Sequence, residues 1–132
     1  MCGAVTFTVE EVAMEASACH CGMCLRWAGG PWIGTQVKGF AVEDDASLGV
    51  VVSSEWAERG FCRRCGSSLF YRITRGGYEG NTSVSIGALD DTAGITLTME
   101  YFIDVKPDTY GLAGERRRMT AAEIHAVFGN DV

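Results

Sequence analysis

Apolar and polar residues alternate in short runs along most of the chain. Ala4 to Val9 sets apolar positions against Thr6 and Thr8, the period of two that a half-buried strand needs. Trp32 to Val37 reads as a strand after the Gly30-Pro31 turn, and Gly49 to Ser53 is a valine-rich run. Phe61 precedes a cysteine pair, and Ser68 to Ile73 is again strand-like. Asn81 to Ile86 sets Thr82, Val84 and Ile86 against Ser83 and Ser85, and Ile95 to Ile103 closes the β portion. Turns are expected at Gly39, Gly76-Gly77, Asp90-Asp91 and Lys106-Pro107. A strand plus turn roughly every ten residues predicts a mainly β fold of antiparallel sheets or a sandwich, not βαβ units. The period changes near the C-terminus. There Thr120 and Glu123 form a capping box, Ile124, Val127 and Phe128 follow at helical spacing, and Gly129 ends one short helix.

Composition narrows the class. The 132 residues are one domain's worth of chain, so 1–132 is expected to fold as a single domain. Hydrophobic residues at 47% and charged residues at 21% exclude intrinsic disorder. With only 2 prolines, the turns must draw on the 17 glycines. A net charge of −6 disfavours a nucleic-acid partner, because duplex phosphates repel such a surface. Arg116, Arg117 and Arg118 are the nearest thing to a basic stripe, and they read as a solvated loop before the helix. No apolar run approaches the ~20 residues that span a bilayer, so no membrane association is expected. Met1 to Val5 lacks the basic-then-apolar pattern of a secretory signal. The expected location is therefore cytoplasmic, where thiols stay reduced and a cysteine cluster binds metal or does chemistry more often than it forms disulfides.

That expectation matters because the chain has 6 cysteines in three places: Cys2, then Cys19, Cys21 and Cys24, then Cys62 and Cys65. Cys62-Arg63-Arg64-Cys65 followed by Gly66 has the form of a zinc knuckle, in which two thiolates point at one centre and a glycine lets backbone amides approach the sulfurs. A redox-active C-x-x-C, or a knuckle that binds nothing, is the alternative, but a thioredoxin-like motif belongs in a βαβ context and none is visible. Cys19-His20-Cys21-Gly22-Met23-Cys24 is less common. Bridging Cys19 to Cys21 would close a very small, strained ring. One metal ion relieves the problem, since a single loop can wrap three sulfurs around it. Three protein ligands without an obvious fourth describe a catalytic zinc site with an open position. His20 is the rival for that position, yet it sits between two ligands and its ring would have to fold back; it reads as a polar or packing neighbour. His125 on the helix reads as surface or core.

Three segments together carry a resemblance. Cys2-Gly3-Ala4-Val5, Cys19 to Trp27, and Gly60 to Phe70, with Ser85 to Asp91 and Asp104-Val105-Lys106-Pro107, resemble the glutathione-dependent formaldehyde-activating enzyme family, which also includes centromere protein V. The resemblance runs from Cys2 to about Tyr110. It implies a mostly antiparallel β fold of the beta-tent type, related to that of a Rab-associated zinc chaperone, and two zinc ions. Cys19, Cys21 and Cys24 match the family's three-thiolate catalytic site. Cys62 and Cys65 match two ligands of its structural site, and Cys2 matches the second cysteine of an N-terminal C-x-C pair that completes it. This chain has no cysteine two positions before Cys2, so its Cys2, Cys62 and Cys65 site is one ligand short. Three explanations stay open: an internal start, a substitute ligand from water or another side chain, or weak metal binding.

The resemblance implies a carbon–sulfur lyase activity, like that of an S-(hydroxymethyl)glutathione synthase, which condenses formaldehyde or a related small aldehyde with glutathione or another small thiol. The chemistry needs a thiolate near neutral pH, whereas a free thiol has a pKa of about 8.5. Zinc with an open position can hold the sulfur as thiolate, or can instead polarise the aldehyde oxygen. Glutathione is anionic and a protein at −6 does not attract it from a distance, so local positive charge is required. Arg26, Arg63 and Arg64, together with Arg59, lie beside the cysteine groups and are candidates to meet its carboxylates, although each alone has the character of a solvated residue. Trp27 and Trp32 flank Gly29-Gly30-Pro31 and read as core or pocket wall. A non-catalytic zinc module for a protein partner or thiol ligand is the competing class, and a disulfide oxidoreductase a distant third.

Overall fold

The computed structural model describes residues 1–129. Among them run ten strands: β1 (Phe7–Thr8), β2 (Glu11–Cys19), β3 (Trp32–Lys38), β4 (Ala41–Val42), β5 (Leu48–Ser54), β6 (Ala57–Cys62), β7 (Ser68–Ile73), β8 (Thr82–Ser85), β9 (Thr96–Tyr101) and β10 (Arg117–Met119). Helix α1 (Gly22–Ala28) follows β2, and α2 (Ala121–Phe128) follows β10. The fold is mainly β. Eight strands form one sheet in the order β10-β9-β2-β3-β8-β7-β6-β5, while β1 and β4 form a small antiparallel ladder of their own.

From β3 to β5 the sheet is antiparallel, as the short strand-turn spacing predicts. At the other end the otherwise antiparallel sheet is mixed. β9 runs parallel to β2 on one side and to β10 on the other. The chain reaches β9 only after the β5–β8 meander, which brings β8 back beside β3. A strand over Ala4–Val9 contracts to Phe7–Thr8, the stretch that pairs with Ala41–Val42, with one further bond from the Glu43 N–H to the Thr6 carbonyl at 3.0 Å. The long strand of this region is β2 instead.

β2 is built largely of alanine, glutamate and methionine, residues that prefer helices in isolation. It is a strand because β3 and β9 flank it and satisfy its backbone on both sides. Its small side chains are part of the reason it fits there: Ala16 and Ala18 are fully buried. The other half of the sheet packs a core of Val37, Leu69, Phe70 and Val84, with Phe7 and Phe40 against it. Phe40 and Phe70 stack with ring centroids 4.9 Å apart.

The helix expected at the C-terminus is present with its full capping box. The Thr120 hydroxyl accepts from the Glu123 N–H, and Glu123 reaches back to the Thr120 N–H at 2.7 Å. Among the described residues no helix is long and apolar enough to cross a membrane.

Candidate metal centre

Two cysteine triads are assembled, each with its three sulfurs within 4.8 Å of one another: Cys19, Cys21 and Cys24, and Cys2, Cys62 and Cys65. The first is a local product of how β2 ends. Cys19 is the last residue of the strand, paired with Trp32 on β3 and Tyr101 on β9. The next N–H, that of His20, still bonds Tyr101 at 3.0 Å, and the chain then turns directly into α1. Cys21 is the N-cap, and its Sγ accepts from the Cys24 N–H at 3.5 Å. Cys24, in the first turn, is buried. Gly29 closes this short helix in the left-handed conformation at φ 73°, where a Cβ would be strained, and Pro31 leads into β3. A helix here was not expected from the sequence, since Gly22 to Ala28 is too short to display a period.

The second triad joins distant parts of the chain. Cys62 ends β6 and Cys65 lies in the turn to β7, where the Gly66 N–H bonds the Cys62 carbonyl at 2.8 Å. Cys2 arrives from the N-terminus with its sulfur 3.6 Å from that of Cys62. That separation is far beyond the ~2.05 Å of a disulfide. It is close to the ~3.8 Å between sulfurs that a tetrahedral Zn–S length of about 2.3 Å demands. All six cysteines are free thiols. An all-sulfur donor set of this spacing fits zinc, and both triads can hold a metal ion. Serine accompanies the second triad, with Ser67 Oγ 3.2 Å from Cys65 Sγ.

Charge within the first triad is uneven. The thiols of Cys19 and Cys24 and the N–H groups of Cys24 and Met23 all favour an anionic Cys21, whose pKa falls well below the ordinary thiol range. Cys19 moves the opposite way, because it donates to Cys21 and Cys24 and is buried.

His20 is fully buried and turned to other partners: Nε2 lies 2.9 Å from Glu100 and Nδ1 2.8 Å from the Tyr110 hydroxyl. Glu100, 1% exposed on β9, also accepts from Arg116 at 3.0 Å and Arg118 at 3.2 Å. Burial alone would raise the Glu100 carboxyl. The bonds from His20 and Arg118 and the charges of Arg116 and Arg118 outweigh it and hold the carboxyl below its ordinary value. The arginine run is thus not a solvated loop. Residues 117–119 form β10 beside β9, Arg118 standing opposite Glu100, and the Arg116 side chain is 5% exposed. Its counter-ion lies in a strand with no local sequence relation to it.

The first triad opens on a cavity of about 520 Å³. Cys19, Cys21 and Cys24 form part of its lining, with Trp56 and Tyr71 from the β5–β7 region and Ile124 and Phe128 from α2. Trp32 is both core and cavity wall, with its ring 5.5 Å from that of Trp27. Phe102 enters the lining through a left-handed backbone at φ 59°, an uncommon conformation for a bulky residue. Of the arginines singled out in the sequence, Arg59 lines the cavity and is buried. Arg26 is exposed on α1 and bonds the carbonyl of Gly22, a cavity residue, at 3.1 Å. Arg63 and Arg64 stand exposed in the turn between Cys62 and Cys65, at the second triad. Sequence reasoning did not find Glu100, Tyr110, Trp56 or Tyr71, which carry no motif; Glu100 and Tyr71 reach the site through strand register, Trp56 and Tyr110 through a turn and a loop.

A sequence model of the family described as glutathione-dependent formaldehyde-activating enzyme matches residues 1–105. The chain belongs to this family. A protein of Schizosaccharomyces pombe described as an uncharacterized lyase is 28% identical over 127 residues, covering 94% of this chain and 90% of its own length. The family match ends before Tyr110, Arg116 and Arg118, the residues that hold His20 and Glu100. In this member of the glutathione-dependent formaldehyde-activating family, the segment after residue 105 is thus built into the support of the first triad.

Proposed function

We propose that the protein is a zinc-dependent carbon–sulfur lyase-type enzyme that condenses formaldehyde, or a related small aldehyde, with glutathione or another small thiol. Cys19, Cys21 and Cys24 hold the catalytic zinc; Cys2, Cys62 and Cys65 hold a structural ion. One observation carries the reading. Three sulfurs converge on a cavity wall, and among the described residues no fourth Cys, His, Asp or Glu joins them. Zinc commonly takes four ligands, so an exogenous donor has a place. His20 does not compete for it, because both ring nitrogens are bonded elsewhere.

A zinc ion in this triad supplies one thing, a thiol kept deprotonated near neutral pH. The chain supplies the rest. The cavity walls give the reacting sulfur an apolar surround, and Arg26, exposed beside the cavity residue Gly22, is our candidate to meet a carboxylate of the thiol. In the reaction the thiol proton leaves to solvent and a sulfur–carbon bond forms at the aldehyde carbon. The carbonyl π pair moves to oxygen, which takes up a proton to become the hydroxyl. Nothing is oxidised or reduced, and the reverse step regenerates both reactants.

Two-dimensional exchange NMR of formaldehyde and glutathione tests this. The zinc-loaded protein should accelerate exchange between free aldehyde and adduct over buffer, and Cys21→Ser should remove the acceleration. Exchange no faster than buffer would sink the assignment. Retained thiol binding in that case would make the protein a zinc-binding module.

A further inference from the structure

Arg59 occupies an unusual position. It lies in β6, is 5% exposed, and sits with its guanidinium between the rings of Trp27 and Tyr71, at 5.3 Å and 5.0 Å from their centroids. Nη1 bonds the Ser53 hydroxyl, Nη2 lies 3.7 Å from the Cys24 sulfur, and Nε is buried without a partner. Among the described residues no carboxylate pairs with it. A buried guanidinium is costly unless an anion compensates it. Ring faces and a serine hydroxyl offer only partial dipoles. The one neighbour able to carry a full negative charge that it touches is the Cys24 sulfur of the triad.

The geometry points to Arg59 as the built-in counter-charge of the Cys19, Cys21 and Cys24 centre, which lets that centre accept an anionic thiolate in preference to a neutral donor. The inference rests on the zinc-and-thiol reading above. Three thiolates and one divalent ion leave one net negative charge, and a fourth thiolate would make it two. The cation at Arg59 removes one of these in a buried setting where charges interact strongly. A neutral ligand gains nothing from this. The role differs from a carboxylate clamp: the guanidinium is spent on Cys24, Ser53 and two rings and presents no open fork to the cavity.

The test uses cobalt-loaded protein, whose visible spectrum reports ligands at the metal, titrated with 2-mercaptoethanol and separately with imidazole. Arg59→Met should weaken mercaptoethanol binding about 10- to 100-fold while leaving imidazole affinity within about threefold. Arg59→Lys, which keeps the charge, should bind mercaptoethanol within about fivefold of the unaltered protein. Equal weakening of both ligands by Arg59→Met, or no weakening of either, overturns the inference. If the Met variant does not fold, the Lys variant decides: thiolate affinity kept supports the counter-charge, and thiolate affinity lost with imidazole affinity intact overturns it. Failure of the unaltered cobalt protein to bind the thiol would instead overturn the function proposed above, and the inference with it.

Discussion

Glu100 is the residue on which most of the buried polar structure converges. It accepts from His20, Arg116 and Arg118 while being almost completely removed from solvent. Removing one member of such a group leaves uncompensated charge behind. Glu100→Ala should therefore cost about 3–5 kcal/mol in chemical denaturation, chiefly because the buried Arg116 loses its partner. The pH dependence follows from the direction of the shift. A carboxyl whose folded pKa is depressed contributes stability that is present above its unfolded pKa of about 4.3 and is lost as pH falls through the folded value. The unaltered protein should lose more stability than Glu100→Gln on acidification through that window. Parallel loss in both proteins, measured by denaturation at fixed pH steps, would show that the network does not hold the proton off Glu100.

Between β6 and β7 the sheet depends on a close approach. Gly60 stands opposite Phe70, and a Cβ added at Gly60 would lie 2.0 Å from the Phe70 ring. The ring is 2% exposed and has little room to yield. Gly60→Ala should thus destabilise by about 1–3 kcal/mol through overpacking. Phe70→Leu should rescue part of that loss in a double-mutant cycle, and purely additive effects would contradict the contact. The elements also differ in how readable they were. β3, β7, β8 and α2 announce themselves because β-branched or aromatic residues, or a capping box, agree with their final environment. β2 does not, since its helix-forming composition is overridden by two strand neighbours. β6 does not either, with Glu58, Arg59 and Gly60 in its middle. Those residues are there for the salt bridge to Arg72, for the Cys24 sulfur and for the Phe70 ring.

At the scale of the molecule, the two triads tie the fold together differently. The first closes within one strand-to-helix turn, whereas the second links the N-terminus to the β6–β7 turn across 60 residues. Metal removal should consequently affect them unequally. Metal analysis of reduced protein should give about one to two zinc per chain. Chelation should lower the melting temperature and expose thiols to a titrating reagent, Cys2 reacting first because it is the exposed one and Cys24 and Cys62 last because they are buried. A metal-free protein that melts at the same temperature and shows no added thiol reactivity would rule out both metal sites.

The spacing Cys19, Cys21, Cys24 and the pair Cys62, Cys65 indicated, without any structure, which sulfurs gather into sets that can hold a metal ion. Local turns can bring such residues together whatever the rest of the chain does. The family pattern added Cys2 to the pair. The structure alone decided the surroundings: the parallel course of β9, the bonds from Glu100 and Tyr110 that turn His20 away from the triad, and Arg59 laid against Cys24. These partners lie 35 to 90 positions apart in the chain. Their meeting depends on strand register and on the order of strands in the sheet, which a period of two along the sequence does not encode.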